Sequence, residues 1–466
     1  MKQVNFIFFQ HDLRIHDHPG LTAASQHGLP MIGIYLLNPL EFEKTKYGFQ
    51  KMGPYRLQFL IESLLNLKHN LAKLHIPLLI FTRGPVLAAR HLLQTYEVDS
   101  IFAAIEPGKE ENNLLDEFQK ELGSKHQFFY HDKPLLSPQH YPWLISHLPN
   151  RFTDARMKIE SQIQVASILP TIQPQHPIEN IEDDLENLIT LNPQKHLIIN
   201  GGEDAAISHL HQYFFQEQHV LTYKETRNNM LKFTDSSKLS PALSLGLLSP
   251  RTIYWQLKNV EATLKKNQST YWIWFELLWR DFFYYLHLRH GDQFFFVEGI
   301  MGVRKQWQLK APYLEAIQIA KTGYPLVDAN LLELFQTGWM SNRGRQNVAS
   351  FISKILQLDW RFGAALFEHF LLDYDVSSNY GNWQYISGVG VDPREDRVFN
   401  VTLQAKKYDP QGEYLNYWLP NLSKLPIPLR FQPWLINGLE MDLYQFEIGK
   451  DYPHRIVVDS RVELKD

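Results

Sequence analysis

Between Thr322 and Arg397 the chain crowds together side chains of the kinds that bind and react. Asn342, Arg343 and Arg345 come first, then Trp360, then Asp373, Asp375, Asn379 and Trp383. Two acids, two arginines and two amides flank apolar helical runs at Val348–Leu358 and Phe362–Leu372. Buried polar groups must find partners or they destabilise the fold. The stretch is therefore either a self-satisfied polar network or the lining of a pocket for a large polar ligand. Asp373 and Asp375 are hard ligands, but no second cluster with recognisable metal spacing accompanies them, so no metal site is expected.

Two upstream stretches carry chemistry of their own. Ser236-Ser237-Lys238-Leu239-Ser240 precedes a helix expected to start near Pro241. Hydroxyls, a lysine and backbone N–H groups at a helix start suit a pyrophosphate. The plainer reading is an ordinary N-cap, with Ser240 ahead of Pro241. In the run 275–290, Glu276, Trp279, Arg280, Phe283 and His287 recur at i, i+3, i+4, i+7 and i+11, one face of a helix. Glu276 and Arg280, one turn apart, could form an internal ion pair. Trp307, Trp360 and Trp383 read on their own as core aromatics.

The elements that must position these residues follow from periodicity. Val4–Phe9, Met31–Leu37, Leu78–Thr82, Ile101–Ile105 and Gln127–His131 read as strands. Leu21–His27, Tyr55–Leu74, Val86–Tyr96 and Glu110–Leu122 read as the helices between them. This alternation predicts an α/β N-terminal domain over 1–131 with a Rossmann-like parallel sheet. Its first turn, Gln10-His11-Asp12-Leu13-Arg14, lacks the glycines of a dinucleotide fingerprint, and no P-loop occurs. Residues 132–200 are punctuated by Pro170, Pro174, Pro177 and Pro193 and read as an interdomain linker. Residues 201–466 read as an all-α domain whose last 40 or so residues carry ordered-looking aromatics, Trp434, Tyr444 and Phe446.

Composition sets the outer bounds. The 466 residues, 44% hydrophobic and 21% charged, are those of a globular protein with room for two cores. No run of about eighteen apolar residues predicts a membrane span, and the N-terminus reads as a strand rather than a signal peptide. The absence of cysteine excludes disulfides and thiolate metal sites. A cytoplasmic monomer is the expectation. The net charge of −4 gives no global attraction to nucleic acid, so any DNA binding requires a local basic patch.

The runs TGYPLVDAN, TGWMSNRGRQ, LLDYD, SNYGNW and GVGVDPREDR, in this order, resemble the flavin-binding half of the photolyase/cryptochrome family. The last two, with Tyr385 following Trp383, are most similar to its cryptochrome DASH branch. The resemblance covers nearly the whole chain and is strongest from Tyr223 to Leu419. It implies that Tyr223 and Ser236, Ser237, Lys238, Leu239 and Ser240 hold the FAD phosphates. It implies further that Arg280, Asn342, Arg345, Asp373, Tyr374, Asp375 and Asn379 surround the rest of FAD, with Arg345 pairing Asp373 and the Asn379 amide beside flavin N5. Glu276 would hydrogen-bond a pyrimidine substrate and Trp279 would stack on it, with Asn342 between flavin and substrate. Arg227, Arg343 and Arg397 would meet DNA phosphates. Trp307, Trp360 and Trp383 map onto the family's electron-hopping chain, in keeping with the ready oxidation of indole.

The same resemblance sets the expected activity. A blue-light-dependent flavoprotein splits cyclobutane pyrimidine dimers by electron transfer from reduced FAD, preferring UV-damaged single-stranded DNA. Its rivals are a blue-light photoreceptor and, third, a redox flavoenzyme unrelated to light. The run at 340–346 lacks the histidines of six-four photolyases. Tyr385 stands where duplex-specific photolyases carry a second Trp, which predicts weak flipping from a duplex. Glu106 matches a glutamate that binds a 5,10-methenyltetrahydrofolate antenna, although its neighbours Ala104 and Ile105 are not the usual polar residues. The first-strand turn has Phe8, Gln10 and His18 where the family usually has Trp, Arg and Asn.

Overall fold

The structure is a computed structural model that describes residues 2–123, 125–178, 181–391 and 397–462. Asp392–Asp396, inside the GVGVDPREDR run, lie outside the described residues. Contacts divide the chain into two compact units. The first holds Met1–Leu221, Lys238–Asp292 and Leu372–Ser378; the second holds Thr222–Ser237, Gln293–Leu371 and Asn379–Asp466.

The first unit is built on five strands, β1 (Lys2–Phe9), β2 (Met31–Leu36), β3 (Leu78–Phe81), β4 (Tyr96–Ala104) and β5 (His126–Tyr130), all parallel in the order β3-β2-β1-β4-β5. Parallel neighbours need crossovers, and α1 (Pro19–Ser25), α2 (Pro54–Lys73), α3 (Pro85–Leu93) and α4 (Lys109–Leu122) supply them. β1, β2 and β3 are near-continuous apolar runs because both faces are covered. Phe6, Phe8, Ile32, Ile34, Leu79 and Phe118 meet in this core. One boundary departs from the sequence expectation. Tyr96 was expected to end a helix, but it opens β4 and is buried. The alternating burial of Tyr96, Val98 and Ser100 against Glu97 and Asp99 is a strand period.

The strand order reverses between β1 and β4, so their C-terminal ends flank the switch point. The β1 end is held by buried charge. Arg14, 1% exposed, grips Asp132 through both terminal nitrogens at 2.6 Å and donates to the Asp17 and Gly246 carbonyls. His18, where the family usually has Asn, performs the capping itself: its Nδ1 accepts from Leu21 N–H at 3.1 Å and its Nε2 lies 3.2 Å from Asp12.

After β5 the chain, expected as a linker, stays with the first unit and includes α5 (Phe152–Gln162). The same unit carries the short α6 (Ser240–Ser244) and the long α7 (Gln268–His290), which opens with an Asn267/Thr270 capping box. In the second unit, α8 (Pro325–Thr337) leads to α9 (Asn342–Ser350) and α10 (Trp360–Phe370). The apolar run expected to stay helical to Leu358 instead passes through a π turn at Phe351–Ile355, and Gln357 takes φ 53°. α11 (Val376–Ser387) begins in the first unit and continues in the second from Asn379. The C-terminal aromatics are ordered as expected: Phe446 and Tyr452 pack with Leu422, Leu425 and Ile436. Asp328 of α8 accepts from the Thr322 hydroxyl at 2.6 Å and the Tyr452 hydroxyl at 2.5 Å.

Removing Arg14 leaves Asp132 buried and unpaired. Arg14→Met should therefore cost about 3–5 kcal/mol in denaturant titration. Arg14→Met combined with Asp132→Leu should be more stable than Arg14→Met alone.

Candidate functional site

Three buried charges converge at the C-terminal ends of the strands in the first unit. Lys133, just past β5, puts Nζ 2.8 Å from Glu106 Oε2, just past β4, and 3.4 Å from Asp375 Oδ2. Their side chains are 3%, 1% and 8% exposed. His11, from the turn after β1, places Nδ1 3.2 Å from Glu106 Oε1. Arg280 of α7 donates to the Lys133 carbonyl and, at 3.0 Å, to the Leu243 carbonyl. Asp281, next in α7, accepts the N–H groups of Leu135 and Leu136 at 2.9 and 3.0 Å and the Tyr285 hydroxyl at 2.9 Å.

The electrostatics follow from these contacts. Burial alone would raise Asp375, yet Lys133, Arg280 and the Ser378 N–H outweigh it and hold the carboxyl well below its usual range. Glu106 is lowered in the same way, with burial opposed by Lys133 and His11. Asp281 has no comparable cation, and burial pushes it up to about 6. His287, whose Nδ1 meets Ser377 Oγ at 3.0 Å, is pushed down to about 4 by burial.

The residues expected to hold the phosphates divide between the units, with Tyr223, Ser236 and Ser237 in the second and Lys238, Leu239 and Ser240 in the first. Ser240 does not cap α6 as the plainer reading expected. It is the first helical residue, Leu239 is the N-cap position, and no side chain caps the turn. The Ser240 hydroxyl donates instead to Asp373 Oδ2 at 2.6 Å. Lys238 is buried with φ 46°, the left-handed region that a residue with a side chain seldom adopts. Strain of this kind collects at ligand clamps. Tyr374 lies under the Arg56 guanidinium, 4.5 Å from its ring centre. Trp279 is half-buried and stacks on Phe152 of α5 with ring centres 3.7 Å apart. Glu276 lies on the same helix and is also half-buried.

In the second unit, Asn379 donates its side-chain amide to the Ala364 carbonyl at 3.0 Å, which fixes how the amide points. Trp383 is 1% exposed and packs over Gly363 of α10; a Cβ on that glycine would come 2.0 Å from the indole ring. Trp360 begins the same helix. Its indole donates to the Val297 carbonyl at 3.0 Å and meets Tyr380 edge-on at 5.9 Å. Gln308 pairs with Leu358, and the Asp359 N–H bonds the Gln308 carbonyl at 3.1 Å. These bonds bring the backbone at Trp307 beside that of Trp360. The three tryptophans thus lie along one connected part of the unit.

Arg343, Lys354, Arg397, Tyr385 and Phe399 line a cavity of about 130 Å³ together with Gln346 and Ile386. Arg343 bonds the Asn228 and Gln346 amides at 3.0 and 2.9 Å and lies 4.8 Å from the Tyr408 ring centre. Arg397 lies 4.7 Å from the Phe399 ring centre. Among the described residues, neither arginine has a carboxylate partner. Burial, followed by Arg227 and Arg397, holds Arg343 below its usual pKa while Tyr408 opposes them. Like charges gathered in one cavity suit an anion. Asn342 is exposed at the first turn of α9, and Arg345 donates to the Met340 carbonyl at 2.8 Å and lies 5.1 Å from the Trp339 ring centre.

Residues 5–171 match the DNA photolyase family model, and residues 272–464 match the FAD binding domain of DNA photolyase. The chain belongs to the photolyase/cryptochrome family. It is 39% identical over 462 residues to cryptochrome DASH of Synechocystis sp., spanning 97% of this chain and 94% of that protein. Cryptochrome DASH of Xenopus laevis is 37% identical, spanning 98% and 90%. The crystal structure of a Synechocystis cryptochrome superposes with a TM-score of 0.92 at 38% identity, covering 98% of this chain and 96% of that one. A class III photolyase from Agrobacterium tumefaciens gives 0.85 at 26% identity, covering 99% and 96%. The DASH resemblance and the α/β-plus-helical fold read from the sequence are thereby established. The residues present fit FAD: carboxylates and an oriented amide suit ring and polyol groups, and serines with a buried, strained lysine suit a pyrophosphate.

Sequence reasoning did not find Lys133, Asp281 or Lys354. The available signal for Lys133 was its place just after a parallel strand, where such folds gather functional groups.

His287 generates a pH prediction. Its folded value of about 4 lies below the ordinary 6.5, so the unfolded chain takes the proton first on acidification. The stabilisation is complete above pH 6.5 and is lost as pH falls toward 4. Thermal melts from pH 7 to 4 should show His287→Gln losing less stability than the parent, by up to about 3 kcal/mol.

Proposed function

We propose that the chain is a blue-light-dependent flavoprotein that splits cyclobutane pyrimidine dimers, preferentially in single-stranded DNA. FAD, held by the residues named below, would supply when bound and reduced the photoexcited electron that opens the two bonds joining the pyrimidines, with no net redox change. The single observation that supports the reading is the cavity that Arg343, Lys354 and Arg397 line beside Tyr385, in a chain of this family.

Each group has a task that its chemistry allows. Tyr223 and residues 236–240 hold the pyrophosphate. Asp373, Tyr374, Asp375 and Asn379, with Arg280, Asn342 and Arg345, hold the remainder of the cofactor. Ser240 keeps Asp373 oriented, and the bond to the Ala364 carbonyl keeps the Asn379 amide from rotating. Glu276 accepts from the pyrimidine edge, and Trp279 stacks on the dimer. Arg227, Arg343, Arg397 and Lys354 take the phosphates, so affinity should fall steeply with salt. Trp307, Trp360 and Trp383 carry electrons inward.

Strand preference follows from energy. Extruding a dimer from a duplex costs a few kcal/mol, and each base–aromatic stack returns roughly 1–3 kcal/mol. Trp279 with the smaller Tyr385 recovers only part of that cost, whereas a single strand avoids most of it. The antenna belongs to a separate reading. Glu106 already holds Lys133 and His11, which weighs against a folate at that carboxylate.

The test is illumination of reduced protein with dimer-containing oligonucleotides, the restored thymines being counted by chromatography. Single strands should be repaired, duplexes at least about tenfold more slowly, and Glu276→Ala should lower repair while the flavin spectrum is kept. Dimers left untouched in single strands would transfer the assignment to a photoreceptor. Equal repair of both substrates would remove the argument from Tyr385.

A further inference from the structure

The switch point of the sheet is where open α/β folds ordinarily receive a ligand. Here the ends of β1, β4 and β5 send His11, Glu106 and Lys133 toward one another. The lysine does not stop at Glu106. Its ammonium also reaches Asp375 at 3.4 Å, within the LLDYD run that carries the family's flavin-binding signature. One buried cation therefore joins a strand-end carboxylate to a flavin-site carboxylate.

We propose that Lys133 is a positioning residue of the flavin site, a buried ammonium anchored on Glu106 that fixes the charge and direction of Asp375. The inference rests on the flavin reading above. Its first support is charge: the Lys133 ammonium lies between the Glu106 and Asp375 carboxylates, and all three side chains are almost closed to water. Its second support is mechanical. Lys133 is held at both ends, because Arg280 clamps its carbonyl and Asp281 takes the N–H groups two and three residues on. The ammonium therefore has a fixed origin as well as a fixed target.

Several groups bear on the titration of these carboxylates. Asp375 is faced by Lys133, by Arg280 of α7 and by the Ser378 N–H, and it interacts electrostatically with His287 of α7. Lys133 is faced by Glu106 and Asp375 and feels Glu111 of α4, while Glu106 also meets His11. The two histidines do not substitute for the lysine. His287 stays neutral above about pH 4, and His11 reaches Glu106 alone. Arg280 remains, but it donates to the Lys133 and Leu243 carbonyls, whereas Lys133 pairs with Asp375 directly.

The test compares the full-length protein with Lys133→Met, which keeps length and removes charge, and with Lys133→Arg, which restores it. FAD affinity is read by fluorescence on adding FAD to the flavin-free protein, and the bound flavin spectrum is followed from pH 3 to 8. Lys133→Met should weaken FAD binding by about tenfold or more and introduce a spectral titration absent from the parent, because losing an adjacent opposite charge moves a carboxyl by about one to three pH units. Lys133→Arg should recover both properties at least in part. A purely structural lysine would lower thermal stability without adding that titration. If Lys133→Met does not fold, Lys133→Met with Glu106→Gln removes the stranded carboxylate, and the same two readouts decide. Parent-like affinity together with a pH-independent flavin spectrum, in whichever of these variants folds, overturns the proposal. A parent protein that binds no FAD overturns the flavin reading itself, a result visible before any variant is made.

Discussion

Five residues after β5, Asp132 to Leu136, form the connection on which the first unit depends. A buried irregular segment must satisfy every backbone and side-chain polar group without the help of a ladder. Here the charged side chains and several backbone groups have named answers. Asp132 turns to Arg14, Lys133 turns to Glu106 and Asp375, the Lys133 carbonyl meets Arg280, and the Leu135 and Leu136 N–H groups meet Asp281. The sheet, α7 and the LLDYD run are thereby tied through one short stretch of chain. Charges buried this deeply are tolerated only as a complete set, which is why loss of one member should cost more than loss of a matched pair.

The same arrangement separates the fates of chemically similar groups. Asp375, paired with a lysine and also attracted by Arg280, is held ionised, while Asp281, which hydrogen-bonds neutral donors and feels Arg280 without a lysine, is pushed up to about 6. Environment rather than residue type decides which carboxyl carries charge at neutral pH. In the second unit the logic is reversed. Arg343 and Arg397 rest on amides and aromatic rings, so their charge remains available to an anion.

Much of the fold was legible because its signals are local. Apolar runs such as Phe6–Phe9 and Ile32–Leu36 announce strands, and the DASH-like runs sit in order along the chain. Tyr96 was misread because it follows the apolar pair Leu92 and Leu93 of α3 at near-helical spacing, and only its alternation with Val98 shows the strand. The π turn at Phe351–Ile355 preserves the apolar pattern while changing the hydrogen bonding, so periodicity cannot detect it. Ser240 looked like a cap because Pro241 follows it, yet a carboxylate more than a hundred residues away claims its hydroxyl. Lys133 was invisible for a related reason. Its partners lie on other strand ends, and proximity at a sheet's switch point leaves no periodic mark on any one segment.

The central claim is that light moves electrons between bound flavin and this chain's own tryptophans. Transient absorption after a blue flash on the oxidised protein tests it most directly. The account predicts a tryptophan radical whose lifetime shortens markedly in Trp307→Phe, because the positive charge can no longer reach the half-buried end of the series. No tryptophan radical in the parent, or identical decays in parent and variant, would contradict it.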